Sequence, residues 1–379
     1  MASDIQPGLL RKMTVRSVFE KLQQNGPFSR ADLTRETGIS APTVSKVVAE
    51  LIEQGLVEET DVSENLLGRP GKRLRIAKQG SRVVGVTIGQ FFSGVTTAAI
   101  DGEVDVHRAF SFPTPSNYQT FVELLADCVK KIQETEGFRL LGVGVCVPGL
   151  ISRQSQIVVH SELAPFLVGR SLSADLSNLA GIQVATRPQG QSLAMAERLF
   201  GHARWLRDFV MVDMADGPTL GIYSDGDLIA GRDGLAGQIS PPAMLNSDDS
   251  GKRQVTTDSD FLAAVCERIG RHMSLDQLWQ ECQSGAIRLE DELELACHSM
   301  AKVVASAINL LNPATLFVHS RILAFEPSLL SRIADLARSQ ALDASFGSCQ
   351  LLAASVSVQT AAMAAITDSL TQSLGPRLS

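Results

Sequence analysis

Residues 29–53, SRADLTRETGISAPTVSKVVAELIE, decide the fold of the N-terminal region. Ser29 and Asp32 have the spacing of a capping box, which predicts that a short helix begins there. Gly38 ends this helix, because glycine tolerates the left-handed conformation that often follows a helix. Ser40 then begins another helix. Two short helices joined by a tight turn are typical of a helix-turn-helix.

The segments on either side complete this unit. Four apolar residues upstream recur at the spacing of one helical face, at Val15, Val18, Phe19 and Leu22. They predict a first helix over residues 10–24. Downstream, residues 56–59 and 74–76 predict two strands around a polar turn. Three helices followed by two strands predict a winged helix-turn-helix in residues 1–65, with the wing and a basic linker in residues 66–80.

The exposed side of the third helix carries side chains suited to DNA. Its early positions outside the apolar stripe are hydroxyl donors or a cation, at Ser40, Thr43, Ser45 and Lys46. A recognition helix brings such positions to the base edges and phosphates of the major groove. Arg30, at the start of the second helix, is placed to contact a phosphate. We expect these five residues to bind DNA, although the periodicity alone also fits an ordinary three-helix bundle.

A basic segment follows in the wing, LGRPGKR at residues 67–73. Its three cations, Arg69, Lys72 and Arg73, lie around glycine and proline. Such a segment can lie extended in a minor groove and insert an arginine there. We expect the three cations to contact DNA, and a solvated linker between domains is the alternative.

Charge is divided unevenly along the 379 residues. Residues 1–80 carry 12 basic and 10 acidic side chains, whereas the remainder carries 22 basic and 31 acidic ones. A mildly basic head on an acidic body allows one end of the chain to face phosphate. The length predicts two or three domains.

Cysteine usage and hydropathy both indicate a cytoplasmic protein. The six cysteines are scattered without a Cys-x-x-Cys motif, so we expect reduced thiols in the core. The N-terminus lacks the basic-then-apolar pattern of a signal peptide. No apolar run approaches the roughly 18–20 residues that a membrane span requires. We therefore expect no membrane contact.

The body, from residue 81 onward, shows one arrangement twice. Strands are predicted first and helices afterwards in residues 81–190, and the same order returns in residues 191–379. This repetition predicts a duplicated α/β fold of two lobes with a cleft between them.

Five motifs follow one another along the body: MAERLFGHAR at 195–204, DG at 225–226, AG at 230–231, LAGQI at 235–239 and NLLNP at 309–313. Together with the head and the Gly-Arg-Pro linker, they resemble the regulator branch of the ROK family of repressors, open reading frames and sugar kinases. The resemblance covers almost the whole chain. It implies an actin-like, hexokinase-like (ribonuclease H-like) fold and a homodimer or homotetramer with its oligomerisation surface in the second lobe. It also implies a double-stranded DNA operator, whose binding changes when a sugar enters the cleft.

The same resemblance locates the residues of a sugar kinase, and most of them are changed. The first phosphate loop aligns with residues 87–91, which lack the aspartate, the second glycine and the threonine of the family motif. The second phosphate loop aligns with residues 215–221, where Pro218 lacks an N–H donor and Asp216 would repel phosphate. The catalytic aspartate aligns with Gln189, which has no titratable carboxylate. We expect the chain to bind neither ATP nor any other cofactor, and we expect no kinase activity.

The sugar site is altered as well. The family motif Gly-Glu-Ile-Gly-His aligns with residues 237–241, which read GQISP. The zinc-binding cysteines should follow at about residues 247–257, but that segment has no cysteine, so we expect no metal. The altered cleft implies an effector site at five residues: Arg187, Gln189, Gln191, Gln238 and Ser240. Arg187 would suit an anionic sugar derivative, unless it pairs with a nearby carboxylate.

Three functions compete on this basis. The first is a DNA-binding transcriptional regulator, a repressor of carbohydrate-related metabolic genes, with an altered effector cleft and no kinase activity. The second is a ligand-independent DNA-binding and oligomerisation protein, whose cleft would be filled by Phe91, Phe92 and Phe166. The third is an active sugar kinase, which would need a catalytic base that Gln189 cannot supply.

Overall fold

The computed structural model describes residues 7–60, 72–135, 137–239 and 255–376. It contains a winged head and two lobes, each lobe built on a five-stranded mixed sheet. Within these ranges, no helix is both long and apolar enough to span a membrane.

The head contains three helices, α1 Pro7–Asn25, α2 Arg30–Thr37 and α3 Ala41–Glu53. The Ser29 hydroxyl accepts the Asp32 N–H, and the Asp32 carboxylate accepts the Ser29 N–H at 3.1 Å, so the predicted capping box is confirmed. Gly38 ends α2 with φ of 68°, in the left-handed region. The turn between α2 and α3 therefore forms where the sequence predicts it.

Two strands complete the head. The strand β1 Val57–Thr60 pairs antiparallel with β2 Arg73–Ile76. The three helices pack around fully buried apolar side chains, among them Phe19, Leu33 and Leu51. Burial of these side chains is the main stabilising contribution to so small a unit.

The first lobe contains strands, helices and a small hairpin: β3 Ser81–Thr87, β4 Phe92–Ala98, β5 Val104–Pro113, α4 Tyr118–Gln133, β6 Arg139–Val147, β7 Leu150–Ile151, β8 Val158–His160, α5 Leu172–Ala180 and β9 Val184–Pro188. The sheet order is β5-β4-β3-β6-β9. The strands β3, β4 and β5 are antiparallel, whereas β6 and β9 run parallel to β3. The helices α4 and α5 cover one face of this sheet.

The second lobe repeats the arrangement: β10 Phe209–Asp213, β11 Thr219–Ser224, β12 Asp227–Leu228, α7 Asp258–Ile269, α8 Leu275–Gln283, α9 Glu290–Leu311, β13 Thr315–His319, α10 Leu329–Arg338, α11 Asp343–Gly347 and β14 Gln350–Ala353. The sheet order is β12-β11-β10-β13-β14, again with three antiparallel strands followed by two parallel ones. Short 3₁₀ turns lie at Pro165–Leu167 and Arg321–Ala324. The matching topologies confirm the predicted duplicated α/β fold.

Two helices lie between the sheets, α6 Gln189–Leu199 and α12 Val358–Ser373. The helix α12 falls in the range that sequence order assigns to the second lobe, but it packs against β3 and β6 of the first sheet. Glycine makes this possible, because a Cβ on Gly144 would lie 1.9 Å from the Ala362 carbonyl oxygen. The last helix therefore joins the two lobes.

The head packs directly on the body. Ile100, in the turn after β4, is fully buried in the apolar core of the head, and Leu374 packs against the same core. Arg16 on α1 is 9% exposed, and its Nη1 donates to the carbonyl oxygen of Gly375 at 2.8 Å. The head thus contacts both the first lobe and the residues that follow α12.

Candidate DNA interface and effector cleft

The helix α3 divides into a buried and an exposed face. Val44, Val47, Val48 and Leu51 are buried in the head. We call the exposed side the recognition face, which consists of Pro42, Thr43, Ser45, Lys46 and Ala49. Its side chains are short apart from Lys46, so the helix backbone can approach a groove closely. Ala49 is absent from the residues predicted above, although its spacing from Ser45 and Lys46 already places it on this face.

Ser40 occupies the N-cap of α3, as predicted, but its hydroxyl does not cap the helix. The Ser40 Oγ lies 2.8 Å from Thr43 Oγ1, and the Ser40 side chain makes no capping bond to the backbone of the first turn. Both residues are exposed. The first turn of α3 is therefore exposed and not capped by Ser40, so a DNA phosphate can accept from its backbone N–H groups.

The cations expected to contact DNA differ in their surroundings. Lys46 is exposed and forms no ion pair with the residues that the structure describes. Arg30 Nη2 and Lys72 Nζ instead share the Glu59 carboxylate, at 2.8 and 2.7 Å. The hydrogen bond from Lys72, followed by that from Arg30, lowers the pKa of Glu59 below its usual value. A DNA phosphate must therefore compete with Glu59 for these two cations.

The remaining wing cations lie at the edge of the described head. Arg73 is exposed and lines a groove of about 560 Å³ between head and body, together with Arg75 and Arg204. Arg69 lies outside the described residues, so its contact with a minor groove stays a prediction.

Glu59→Gln is expected to strengthen DNA binding. The change removes a negative charge and leaves Arg30 and Lys72 available for phosphates, so the affinity should rise by about two- to fivefold, as for a surface ion pair of roughly 0.5–1 kcal/mol. Fluorescence anisotropy with a labelled duplex at several salt concentrations measures this. Glu53→Gln, an exposed glutamate at the end of α3, makes the same charge change away from both cations and is the control. An equal gain in both variants would contradict the competition.

The cleft between the lobes is nearly closed. Its lining includes Gln189, Gln191 and Gln238, as expected, with His160 from the β7–β8 hairpin and Glu162 just after it. Among the described residues it holds about 70 Å³, well below the roughly 300–1,000 Å³ typical of ligand pockets. Ser240 lies outside the described residues.

Two further expectations about the cleft were wrong. Arg187 does not line it but lines a neighbouring cavity, because successive residues of a strand face opposite sides of the sheet and Pro188, the next residue of β9, is the one that lines the cleft. Phe91 and Phe92 are 72% and 63% exposed, and Phe166 packs edge-on against Phe121 at 5.2 Å. None of the three phenylalanines fills the cleft.

A hydrogen-bonded chain of polar side chains begins at the wall of the cleft, where Gln189 and Asp213 lie, and continues to His319 behind it. Gln189 Nε2 donates to Asp213 Oδ2 at 2.8 Å, and His319 Nδ1 lies 2.8 Å from Asp213 Oδ1. Burial alone would lower the pKa of His319, but the hydrogen bond with Asp213 and the negative charges of Asp213, Asp258 and Asp216 together raise it. Gln189, which the family resemblance aligns with the catalytic aspartate, therefore connects the end of β9 in the first lobe to the end of β10 in the second.

Two more buried carboxylates, Asp216 and Asp258, lie near Asp213. Burial raises the pKa of Asp216, whose carboxylate accepts from Ser259 Oγ at 2.9 Å. Burial also raises the pKa of Asp258 to about 6, and Asp258 accepts from Ser320 Oγ at 2.6 Å. Phosphate binding requires donors, whereas these groups present acceptor oxygens. Within the described ranges, no cluster of His, Cys, Asp and Glu could hold a metal ion.

Asp258→Asn should change how stability depends on pH. The folded chain holds a proton on Asp258 up to about pH 6, whereas the unfolded chain releases it at about pH 4. We therefore expect the parent chain to gain stability relative to the variant as the pH falls from about 7 to 5, measured as the difference between their unfolding free energies. Chemical denaturation across this range measures the difference. Asp291→Asn, an exposed aspartate on α9, should show no such trend; a flat difference for Asp258→Asn would contradict its buried, protonated state.

Comparison with known proteins agrees with this geometry. The model of the ROK family matches residues 83–244, and the model of the MarR family matches residues 18–65. The chain carries a ROK-family domain behind a MarR-type helix-turn-helix. The DNA-binding transcriptional dual regulator NagC of Escherichia coli K12 is 22% identical over 89% of this chain and 87% of its own length. The xylose repressor of Caldicellulosiruptor bescii is 22% identical over 89% of this chain and 90% of its own length. The chain is homologous to these ROK repressors.

Solved structures show the same fold. A ROK family transcriptional regulator, a homologue of the Escherichia coli MLC protein, superposes with a TM-score of 0.77 at 22% identity, covering 96% of this chain and 98% of its own. A ROK family glucokinase from Streptomyces griseus, in complex with glucose and AMPPNP, superposes with a TM-score of 0.62 at 18% identity. The superposition covers 98% of the glucokinase chain but 75% of this one. The ROK-family domain of this chain therefore has the fold of a sugar kinase, and the DNA-binding head is an additional domain.

Proposed function

We propose that the chain is a DNA-binding transcriptional regulator, a repressor, that binds double-stranded operator DNA through α3 and the wing. The observation that carries the proposal is the exposed recognition face on a winged head that packs against a ROK-family domain. Relatives named as repressors of N-acetylglucosamine and xylose systems support carbohydrate-related target genes.

Salt dependence tests the DNA-binding part of the proposal. The full chain should bind labelled duplex DNA with an affinity that falls linearly with salt on a log–log scale, since cations at the interface displace counterions. A specific duplex should also bind roughly 10³-fold or more tightly than a scrambled one. Equal affinity for both duplexes at every salt concentration would contradict operator binding.

We also propose that the chain transfers no phosphate from ATP to sugars. Gln189 supplies no base, and Asp213, Asp216 and Asp258 place acceptor oxygens near the expected phosphate positions. An ATP-coupled assay across hexoses should show no turnover above a heat-inactivated sample. Turnover with any hexose would overturn this part of the proposal.

One observation favours the ligand-independent alternative. The cleft is closed by the Gln189–Asp213 hydrogen bond and has room for only about two waters at roughly 30 Å³ each. A sugar must therefore open the lobes to enter. Thermal shifts against uncharged sugars separate the two functions: stabilisation supports an opening cleft, whereas no shift with any sugar supports a cleft that senses nothing.

We also propose that the chain forms a homodimer or a homotetramer. Leu310, Leu311 and Leu342 are exposed on the second lobe, and Asn309 Oδ1 accepts the Leu342 N–H at 2.8 Å, which brings them together. Clustered exposed leucines are typical of interaction surfaces. Light scattering on the full chain should give a mass of two or four chains, and Leu310→Glu should lower it.

A further inference from the structure

A second cavity, which we call the junction cavity, lies beside the cleft. It holds about 860 Å³ and is bounded by the head, both lobes and the segment after α12. Gln191 lines both spaces, and its Nε2 donates to the Gly234 carbonyl oxygen at 3.1 Å, so this bond is part of the wall between them. Unlike the cleft, the junction cavity falls within the size range of roughly 300–1,000 Å³ typical of ligand pockets.

Three arginines from three parts of the chain line the junction cavity. Arg16 comes from α1 of the head, Arg153 from the β7–β8 turn and Arg187 from the end of β9. Asp227 and Asp368 are the acidic residues of the lining. The three cations outnumber the two carboxylates, so the lining has a net positive charge in a protein whose body is acidic.

Arg153 and Arg187 are engaged in ways that leave an anion room to bind, whereas Arg16 is ion-paired with Glu20, whose Oε1 lies 2.9 Å from Arg16 Nε. Arg187 Nη2 lies 4.0 Å from Asp368 Oδ2, beyond hydrogen-bonding distance, and its Nη1 donates to the Thr186 carbonyl oxygen. Arg153 is exposed at the cavity edge. A guanidinium has five N–H donors, and an oxyanion can accept two from one guanidinium at once. An oxyanion between Arg153 and Arg187 would therefore form closer pairs than Asp368 does.

The lining also offers a place for an uncharged part of a ligand. Ile151, Met195, Tyr223 and Leu228 contribute apolar surface, whereas Gln156 and Gln191 contribute amides. Amides can donate to and accept from hydroxyl groups. The combination matches a small polyol that carries one anionic group, and it differs from the cleft, where Asp213 and Asp216 would repel such a group.

We propose that the junction cavity is the effector site and that it binds a phosphorylated or carboxylated sugar derivative through Arg153 and Arg187. This inference rests on the proposed function as a regulator. The site can act on DNA binding because Arg16, in the same lining, holds the head to the Gly375 carbonyl oxygen. An anion that competes with Glu20 for Arg16 changes this contact, and with it the position of α3 relative to the body.

Thermal melting of the full chain tests the site. Inorganic phosphate, glucose 6-phosphate and gluconate are titrated at constant ionic strength, with glucose as the uncharged probe. We expect at least one sugar-derived anion to raise the melting temperature and glucose to have no such effect. A response to glucose 6-phosphate identifies the anionic group as a phosphate, and a response to gluconate identifies it as a carboxylate. Arg153→Gln and Arg187→Gln should each weaken the apparent affinity about tenfold or more, as loss of a charge-assisted bond predicts.

Arg232→Gln is the matched control, because Arg232 is 92% exposed and lies outside the lining. It should leave the response unchanged. No shift with any anion would overturn the inference, and so would an equal shift in the parent chain and both lining variants. Binding to a specific duplex is measured in parallel: the effective anion should change that affinity by about fivefold or more. A chain that binds the duplex but no anion contradicts only the effector site, whereas a chain that binds no duplex contradicts the proposed function.

Discussion

Replacing Lys46 with glutamate is expected to lower the DNA affinity of the full chain on the order of 10–100-fold, equivalent to roughly 1.5–3 kcal/mol for a lost charged hydrogen bond. Lys46 is the cation of the recognition face and has no carboxylate partner among the described residues. Its loss should affect all DNA sequences alike and reduce the magnitude of the salt slope by about one per contact. Fluorescence anisotropy at four salt concentrations measures both quantities.

Lys302→Glu is the matched control for this prediction. Lys302 is exposed on α9 of the second lobe, so the variant changes net charge equally while leaving the head untouched. Its affinity should remain within about twofold of the parent chain. If Lys46→Glu and Lys302→Glu weaken binding equally, net charge rather than α3 determines DNA binding. A loss confined to one base position would instead assign Lys46 to base readout.

Gly144→Ala is expected to destabilise the body by about 1–3 kcal/mol or more, the range for overpacked cores. The new Cβ would lie 1.9 Å from the Ala362 carbonyl oxygen on α12, and the opposing atom belongs to the backbone, which cannot rotate aside. The helix α12 must therefore move away from β6. Chemical denaturation followed by circular dichroism measures the change in unfolding free energy.

Gly347→Ala provides the comparison, because no atom lies within 4 Å of the position that its Cβ would occupy. Gly347 ends α11 on the surface, so its replacement should have a small effect, of about 0.4–1 kcal/mol in the stabilising direction. Unchanged stability in Gly144→Ala would show that α12 does not pack on the first sheet as described. The effect should also reach DNA binding, since α12 leads to the Gly375 contact with the head.

Local signals account for the parts of the fold that the sequence predicts well. Ser29, Asp32 and Gly38 specify the ends of α2 through bonds within a few residues. The repeated order of strands and helices also sufficed to predict two similar lobes, because sheets and helices bury their apolar faces in few arrangements.

Tertiary packing determines what the sequence could not predict. The hairpin of β7 and β8 is too short for a periodic pattern, yet it brings His160 to the cleft. The family resemblance predicted where Arg187 lies along the chain, but it could not predict which face of the sheet the side chain occupies. Glu59 was not recognised as a partner of Arg30, because 29 residues separate them and only the folded wing brings them together.

The most direct measurement of the central claim is a selection of random-sequence duplexes by the full chain, followed by sequencing of the retained fraction. A regulator that reads DNA through α3 should enrich a defined sequence over successive rounds, and the Lys46→Glu chain should retain that sequence poorly. Retention of the unselected pool without enrichment, or equal retention by the Lys46→Glu chain, would contradict the assignment of the head as a sequence-reading DNA-binding domain.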